Sequence, residues 1–370
     1  MASTVWLCGN RSRGHRDNTL SKIDALLAKL DLASFVKKDA LVAIKTHFGE
    51  LGNDAFIGPV NARRVADAIR SCGAKPFFAD TNTLYSGGRH NAVEHLGTAA
   101  SHGFVGEVCG APVIIADGLK GNDWREVPLR GKWFDSAKIA SAFLDADAMI
   151  VLSHFKGHEM AGFGGAIKNL AMGCAPPAGK RDQHSPRFFV RDKKCVGCGE
   201  CVKVCPEGAP SMKGSGKAEI DRERCIGCGE CALACPSKAI TMDWNVELAE
   251  FTEKMVEYAA AAAKPHAGRI AYLSFAVAIS PECDCAPYSD APLVADLGLL
   301  ASLDPVALDQ ACFDLVKAAP AMPGSMIEGK AGPGDDKFAA AHPDTKGTLA
   351  LEYAERMGLG SRNYELERLT

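Results

Sequence analysis

The chain has 370 residues, 47% of them apolar and 7% aromatic, enough to bury sizeable cores in two or three domains. A formal net charge of −3 without any basic run excludes a nucleic-acid footprint, and no stretch approaches the eighteen or so apolar residues of a membrane span. The start, Met1-Ala2-Ser3-Thr4-Val5-Trp6, lacks a basic leader with an apolar core, so a soluble, cytoplasmic protein is expected. Strand-like and helix-like stretches then alternate. Residues 4–8 read as a strand, 18–35 as a helix with Leu20, Ile23, Leu26, Leu27 and Leu30 on one stripe, and 40–45 as a buried strand. A helix over 60–71, a strand over 76–79, a helix over 92–101 and a strand over 113–116 follow. Beyond a small hairpin within 124–133, a helix is expected over 136–144 and a strand over 149–153. After residue 243 the pattern resumes with an alanine-rich helix over 246–263 and a strand over 269–278. Asp304-Pro305 then starts a helix that runs to 318, since Asp suits the N-cap and Pro the first turn. Gly and Pro loosen 320–347, and a helix over 349–357 closes the chain. Such alternation predicts an α/β fold, a mostly parallel sheet with helices on both faces.

Eight of the fifteen cysteines fall into two copies of one spacing, Cys195-x-x-Cys198-x-x-Cys201-x-x-x-Cys205-Pro206 and Cys225-x-x-Cys228-x-x-Cys231-x-x-x-Cys235-Pro236. This is the run of bacterial ferredoxins, in which three thiolates wrap one [4Fe–4S] cube and the fourth reaches the other. It assigns Cys195, Cys198, Cys201 and Cys235 to one cluster and Cys225, Cys228, Cys231 and Cys205 to its neighbour. Zinc competes for paired Cys-x-x-Cys, although structural zinc uses two pairs with a longer spacer. A purely structural role is the other alternative, because some fifty residues bury too little apolar surface to fold unaided and ligation supplies the missing stability. One cluster would meet that need; two side by side make a path for electrons. The expected organisation is a ferredoxin-like unit at 190–243 inserted between two parts of an α/β domain, 1–189 and 244–370, in a reducing, anaerobic cytoplasm.

In open parallel sheets, ligands bind beyond the carboxyl ends of the strands. There the sequence places Thr46-His47-Phe48-Gly49-Glu50, Asp80-Thr81-Asn82-Thr83 and His154-Phe155-Lys156-Gly157-His158-Glu159. Each is equally explained by a solvated turn or a cap; on one edge together they predict a site. The segment from His158 to Asn169 reads as a glycine-rich loop ahead of a helix. Gly162, Gly164, Gly165 and Asn169 would bring polar groups to a phosphate or carboxylate, and Lys168 would add charge or a nucleophilic amine. Close packing accounts for the glycines as well. His158 and His184 are candidate metal ligands or proton carriers, with His47, His90 and Asp80 completing the candidate catalytic set. Cys283-Asp284-Cys285, and Cys174 between Lys168 and His184, offer thiols for a further metal, with a small buried apolar role the alternative for Cys174, whereas Cys8, Cys72, Cys109 and Cys312 read as core.

Lys45-Thr46-His47-Phe48-Gly49, Asp80-Thr81-Asn82, Ser153 to His158, Gly164-Gly165-x-x-Lys168-Asn169, the cysteine runs, Cys283-Asp284-Cys285 and Asp304-Pro305-Val306-Ala307 together resemble the iron–sulfur-centre proteins grouped as domain of unknown function 362. That resemblance names a family without a reaction. A shorter segment, His158-x-x-Ala161-Gly162-Phe163-x-Gly165-x-x-Lys168 with His184-Ser185 beyond it, resembles the core motif of the nickel-pincer lactate racemases. The second resemblance implies a two-lobed α/β fold, a pyridinium cofactor bound covalently by Lys168, nickel on His184 and substrate proton transfer at His158. Two features depart from it: the racemases' Gly-Thr-His-Arg stands here as Gly88-Arg89-His90, and they carry no ferredoxin insert. Three readings follow. The first is an iron–sulfur oxidoreductase whose two clusters serve a site on the α/β domain, with an electron-transfer protein or a small-molecule substrate as partner. The others are a racemase or lyase of a small hydroxy or amino acid, and an electron carrier or metal-delivery scaffold without a catalytic site. Fusion favours the first, since covalent attachment raises the effective concentration of a donor beside its acceptor.

Overall fold

A computed structural model describes residues 2–85, 87–184, 187–225, 229–243 and 248–369. Eight strands build one sheet: β1 (Ser3–Gly9), β2 (Leu41–Lys45), β3 (Lys75–Asp80), β4 (Val113–Ile115), β5 (Ala148–His154), β6 (Ile270–Ala276), β7 (Gly298–Ser302) and β8 (Tyr364–Leu369), in the order β8-β1-β7-β6-β5-β2-β3-β4. The run β6-β5-β2-β3-β4 is parallel throughout, with Lys45 opposite both Ala79 and Val151. β7 is antiparallel to β1 and β6, and β8 lies parallel to β1 at the edge. Every residue of β5, β6 and β7 is buried, as expected of strands covered on both faces.

Alternate side chains of these strands feed two cores. Helices α1 (Thr19–Leu30), α2 (Pro59–Ser71) and α3 (Ala92–Ser101) pack with Val42, Ile44, Ile150, Leu152 and Leu273 on one face. On the other, α4 (Ala166–Gly173), α6 (Leu248–Ala263), α7 (Pro305–Ala318) and α8 (Thr348–Arg356) pack with Ala43, Met149, Val151, Tyr272 and Leu300, while α5 (Pro177–His184) lies against α6. Each fully buried Leu, Ile or Val contributes about 1.5–3 kcal/mol, so the two cores hold the sheet rigid between them. Asp304 caps α7 by accepting the amides of Val306 and Ala307, with Pro305 first in the helix. Among the described residues no helix is long and apolar enough to cross a membrane.

Two expectations require correction. The first helix stops at Leu30, because Asp31 turns left-handed (φ 46°) and a short 3-10 turn, Leu32–Ser34, follows. Residues 136–144 are not one helix: Ser136–Ala140 is a strand paired with Trp124–Pro128, and only Ser141–Asp145 is helical. Ala137 and Ile139 are buried in alternation, a period of two that a short window of Ala, Ile, Phe and Leu does not separate from a helical stripe.

The cysteine-rich segment lies between α5 and α6. One antiparallel ribbon pairs Arg187–Val190 with Ile240–Asp243, and another pairs Pro210–Met212 with Ala218–Ile220. Each cysteine run enters a short helix, Glu200–Val204 or Glu230–Leu233, through a left-handed glycine, Gly199 (φ 73°) or Gly229 (φ 81°). Phe188, Cys195, Cys201, Ala218, Cys231, Ala239 and Ile240 form a core of its own. Cys228 and Ser185 lie outside the described residues.

Candidate functional site

From β2 the sheet steps outward through β3 and β4 in one direction, and through β5 and β6 in the other, so its winding reverses between β2 and β5. A crevice beyond the carboxyl ends of the strands at such a reversal is where α/β sheets hold ligands. A cavity of about 700 Å³ opens there, walled by Lys45 from the end of β2, Asp80 from β3 and His154 from β5. His47, His158, Gly164, Gly165, Lys168, Asn169, His184, Cys283 and Cys285 also line it, so with Asp80 ten of the candidate catalytic, ligand-binding and further-metal residues outside the cysteine runs meet in one place.

The wall at β2 is a network of fixed charges. Lys45 Nζ lies 3.1 Å from Asp80 Oδ1 and donates to Asn169 Oδ1 at 2.7 Å. Asn169 Nδ2 in turn donates to Leu152 O and Ser153 Oγ, both at 3.0 Å, so Asn169 ties α4 to β2 and β5. Burial would raise the Asp80 carboxyl, but Lys45, with help from His47, His95 and Arg89, holds it below the usual carboxylate range. His47 accepts the Gly49 amide at Nδ1 (2.9 Å) and meets Arg89 Nη1 at Nε2 (2.8 Å). Burial and the Arg89 charge keep its pKa well below the ordinary 6.5. Arg89 is only 2% exposed and also reaches Glu50 Oε2 at 3.0 Å and the Tyr85 hydroxyl at 2.9 Å.

The opposite wall carries the reactive groups. His158 Nδ1 accepts the amides of Met160 (3.1 Å) and Ala161 (3.0 Å), which leaves its proton on Nε2 in the neutral ring. Burial, with Lys168 and His184 adding repulsion, pushes its pKa well below 6.5. His184 is driven down to about 3, first by burial and then by Lys168 and Lys180. The Phe251 ring packs against His184 with centroids 4.9 Å apart, and against His158 at 6.5 Å. Lys168 Nζ donates to Cys283 Sγ at 3.5 Å; burial works against its charge, but the two thiols and Glu159 outweigh it and the ammonium form is favoured. Cys283 and Cys285 sulfurs lie 2.7 Å apart. The donor atoms of His158, Cys283 and Cys285 fall within 4.8 Å of one another, the one such group of three found among the described residues. Asp284, between the cysteines, binds His154 Nδ1 at 2.7 Å and Lys156 Nζ at 3.0 Å.

Other expected residues are placed differently. His90 is exposed, with its Nδ1 near Tyr85 O at 3.3 Å; it is the neighbouring Arg89 that turns inward. The glycine loop does not offer amides to a ligand, because Asp309 occupies the start of α4, accepting Ala166 N at 2.7 Å and Ile167 N at 2.9 Å. A Cβ on Gly165 would stand 2.3 Å from Asp309 Oδ1, and one on Gly162 2.8 Å from Gly347 N, so close approach explains both glycines. Arg89, Asp284 and Lys180 line the cavity without having been given a role from the sequence, and Lys156 was placed at this edge only as part of the strand-end stretch. Asp284 stands between two candidate thiols in the sequence, and that adjacency was the available signal.

In the cysteine-rich segment, Cys195, Cys198, Cys201 and Cys235 line one small void, the set expected to share a cluster. Amides of Ala218, Ala209 and Ala239 donate to the sulfurs of Cys195 (3.5 Å), Cys205 (3.4 Å) and Cys235 (3.2 Å), the backbone-to-sulfur contact that stabilises thiolate ligands. Two sulfurs on one tetrahedral zinc sit about 3.8 Å apart. No three sulfurs of this described set lie within 4.8 Å of one another.

Over residues 42–314 the chain matches the family described as Domain of unknown function (DUF362). No curated protein matches it. Among solved structures it is similar to the lactate racemase apoprotein from Thermoanaerobacterium thermosaccharolyticum, at 12% identity and a TM-score of 0.40 over 74% of this chain and 51% of that one. It is also similar to a Thermotoga maritima protein solved by a structural genomics consortium, at 9% identity and a TM-score of 0.38 over 94% of this chain and 61% of that one. The chain spans less than two thirds of the length of either.

Proposed function

This chain belongs to the DUF362 family, whose description names no reaction, and from its cavity and cysteine runs we propose that it is an iron–sulfur oxidoreductase. In this reading Cys195, Cys198, Cys201 and Cys235 hold one [4Fe–4S] cluster, and Cys205, Cys225, Cys228 and Cys231 the other. The clusters would supply single electrons, received from a partner protein. The observation that carries the proposal is a convergence: His158, Lys168 and His184 line one cavity, and four residues beyond His184 the chain enters the core of the cysteine-rich segment at Phe188. Fully extended, four residues span at most about 14 Å. A ligand that gains electrons in this cavity gains negative charge, and the Lys168 ammonium and the His158 Nε2–H are placed to stabilise it and to return a proton. The test is iron and acid-labile sulfide analysis of anaerobically purified protein, with low-temperature EPR after dithionite reduction. About eight irons per chain and two interacting signals are expected, with Cys198→Ser cutting the iron by about half. Iron far below that, or zinc in its place, overturns the proposal.

A second reading, a racemase or lyase with a cofactor anchored on Lys168, is favoured by the shared cavity of His158, Lys168 and His184. The ion pair of Lys168 with Cys283 weighs against it, because a protonated amine is not a nucleophile. An adduct on the Lys168 peptide by mass spectrometry, together with nickel, would establish it; an unmodified lysine in the active protein disposes of it. A carrier without a site of its own is disfavoured by the cavity itself.

A further inference from the structure

Cys283 and Cys285 take no part in the cluster assignment, yet the fold brings both sulfurs to the cavity. Ala286 N donates to Cys283 O at 2.9 Å, closing a turn that puts the two cysteine side chains together. Asp284, between them, is held away in the protein by His154 and Lys156. The sulfurs are already in contact at 2.7 Å, so the pair needs little more than a side-chain adjustment to reach the bonded distance of about 2.05 Å. Their surroundings are unequal. Cys283 Sγ receives the Cys285 amide at 3.4 Å and Lys168 Nζ at 3.5 Å, two donors that favour a thiolate on Cys283 and leave the proton on Cys285.

A metal is the competing occupant, and two details oppose it. Sulfurs at 2.7 Å are closer than the roughly 3.8 Å set by two bonds to one zinc, and His158, with Nδ1 engaged by two amides, presents a proton rather than a lone pair at Nε2.

We infer that Cys283 and Cys285 are a redox-active dithiol that closes to an intrachain disulfide by exchange with a low-molecular-weight disulfide admitted to the cavity, an activity that stands apart from the iron–sulfur reading. The Cys283 thiolate attacks one sulfur of the incoming disulfide, forming a mixed disulfide and expelling the first thiolate beside Lys168. That thiolate takes the proton of Cys285, whose sulfur attacks Cys283 and expels the second. Two electrons pass from the cysteine pair to the small disulfide, which leaves as one thiol and one thiolate. The short ring closed by a Cys-x-Cys disulfide is strained, which makes the reverse reaction with a dithiol accessible.

Full-length protein, purified anaerobically, is equilibrated in reduced and oxidised dithiothreitol at varied ratios, denatured, alkylated with N-ethylmaleimide and digested. The peptide containing both cysteines should shift from double alkylation to an unalkylated form two hydrogens lighter, in one two-electron step, while the Cys174 peptide stays alkylated throughout. With oxidised glutathione, Cys285→Ser should accumulate a mixed disulfide on Cys283, and Cys283→Ser should accumulate none on Cys285. Double alkylation at every ratio overturns the inference, as does stoichiometric zinc or nickel that is lost in both variants. Iron content of the same sample reports on the clusters, so the two readings fail separately.

Discussion

His95 is fully buried, its two ring nitrogens have no hydrogen-bond partner, and Asp80 Oδ2 stands 3.9 Å from Nε2. Burial drives its pKa from 6.5 down to about 3 against the pull of Asp80. In the unfolded chain the ring takes its proton near 6.5, so between those values the unfolded state binds more protons and stability falls as the pH drops. His184, also near 3, acts in the same sense. Asp309 acts in the other: burial lifts it to about 7 from 3.8, so its contribution is present at low pH and is lost as the pH rises through that window. Urea titrations from pH 7 to pH 4 should show His95→Gln flattening the acid loss by on the order of 1–3 kcal/mol and Asp309→Asn steepening it. A parallel pH dependence for wild type and both variants would refute these assignments. Sequence could not have supplied them. Which of Arg89 and His90 faces inward depends on a turn, and whether His95 is paired depends on a strand fifteen residues earlier.

The start of α4 shows how an element is held from a distance. Asp309, in the second turn of α7, supplies the acceptor that a local N-cap residue would give, and Gly165 leaves the space for it. Asp309→Ala should cost about 2–4 kcal/mol by stranding two buried amides. Gly165→Ala should cost about 1–3 kcal/mol through its clash with the carboxylate. In the double variant the clash is gone, so the two losses should sum to more than is measured by denaturant unfolding; simple additivity would show that the contact is not what holds the helix. A glycine-rich loop before a helix is visible in the sequence, but its occupant comes from 143 positions away and is not. Elements built on local chemistry were legible: the Asp304 cap, the α1 stripe and the strand ends bearing Lys45, Asp80 and His154. β7 and β8 were not, because five residues of Gly298–Ser302 and a half-exposed Tyr364–Leu369 gain their strand character only from partners far along the chain.

At the scale of the molecule, a two-core α/β sheet carries a segment with a small core of its own, built partly from cysteine. If ligation supplies that segment's stability, stripping iron with a chelator should expose 190–243 to limited proteolysis, while the sheet resists and keeps its far-ultraviolet dichroism. Uniform loss of both would contradict the separation. The tether points of the segment add a consequence of another kind. Chain leaves the sheet domain at His184, closing α5, and comes back in the first turn of α6 at Phe251, whose ring already touches that histidine. Exit and re-entry are thus neighbours without the intervening loop. The segment is a cassette: excised and bridged by a few glycines, it leaves the order of the eight strands unchanged, so such a segment can be gained or exchanged by recombination while the sheet and its cavity are inherited intact.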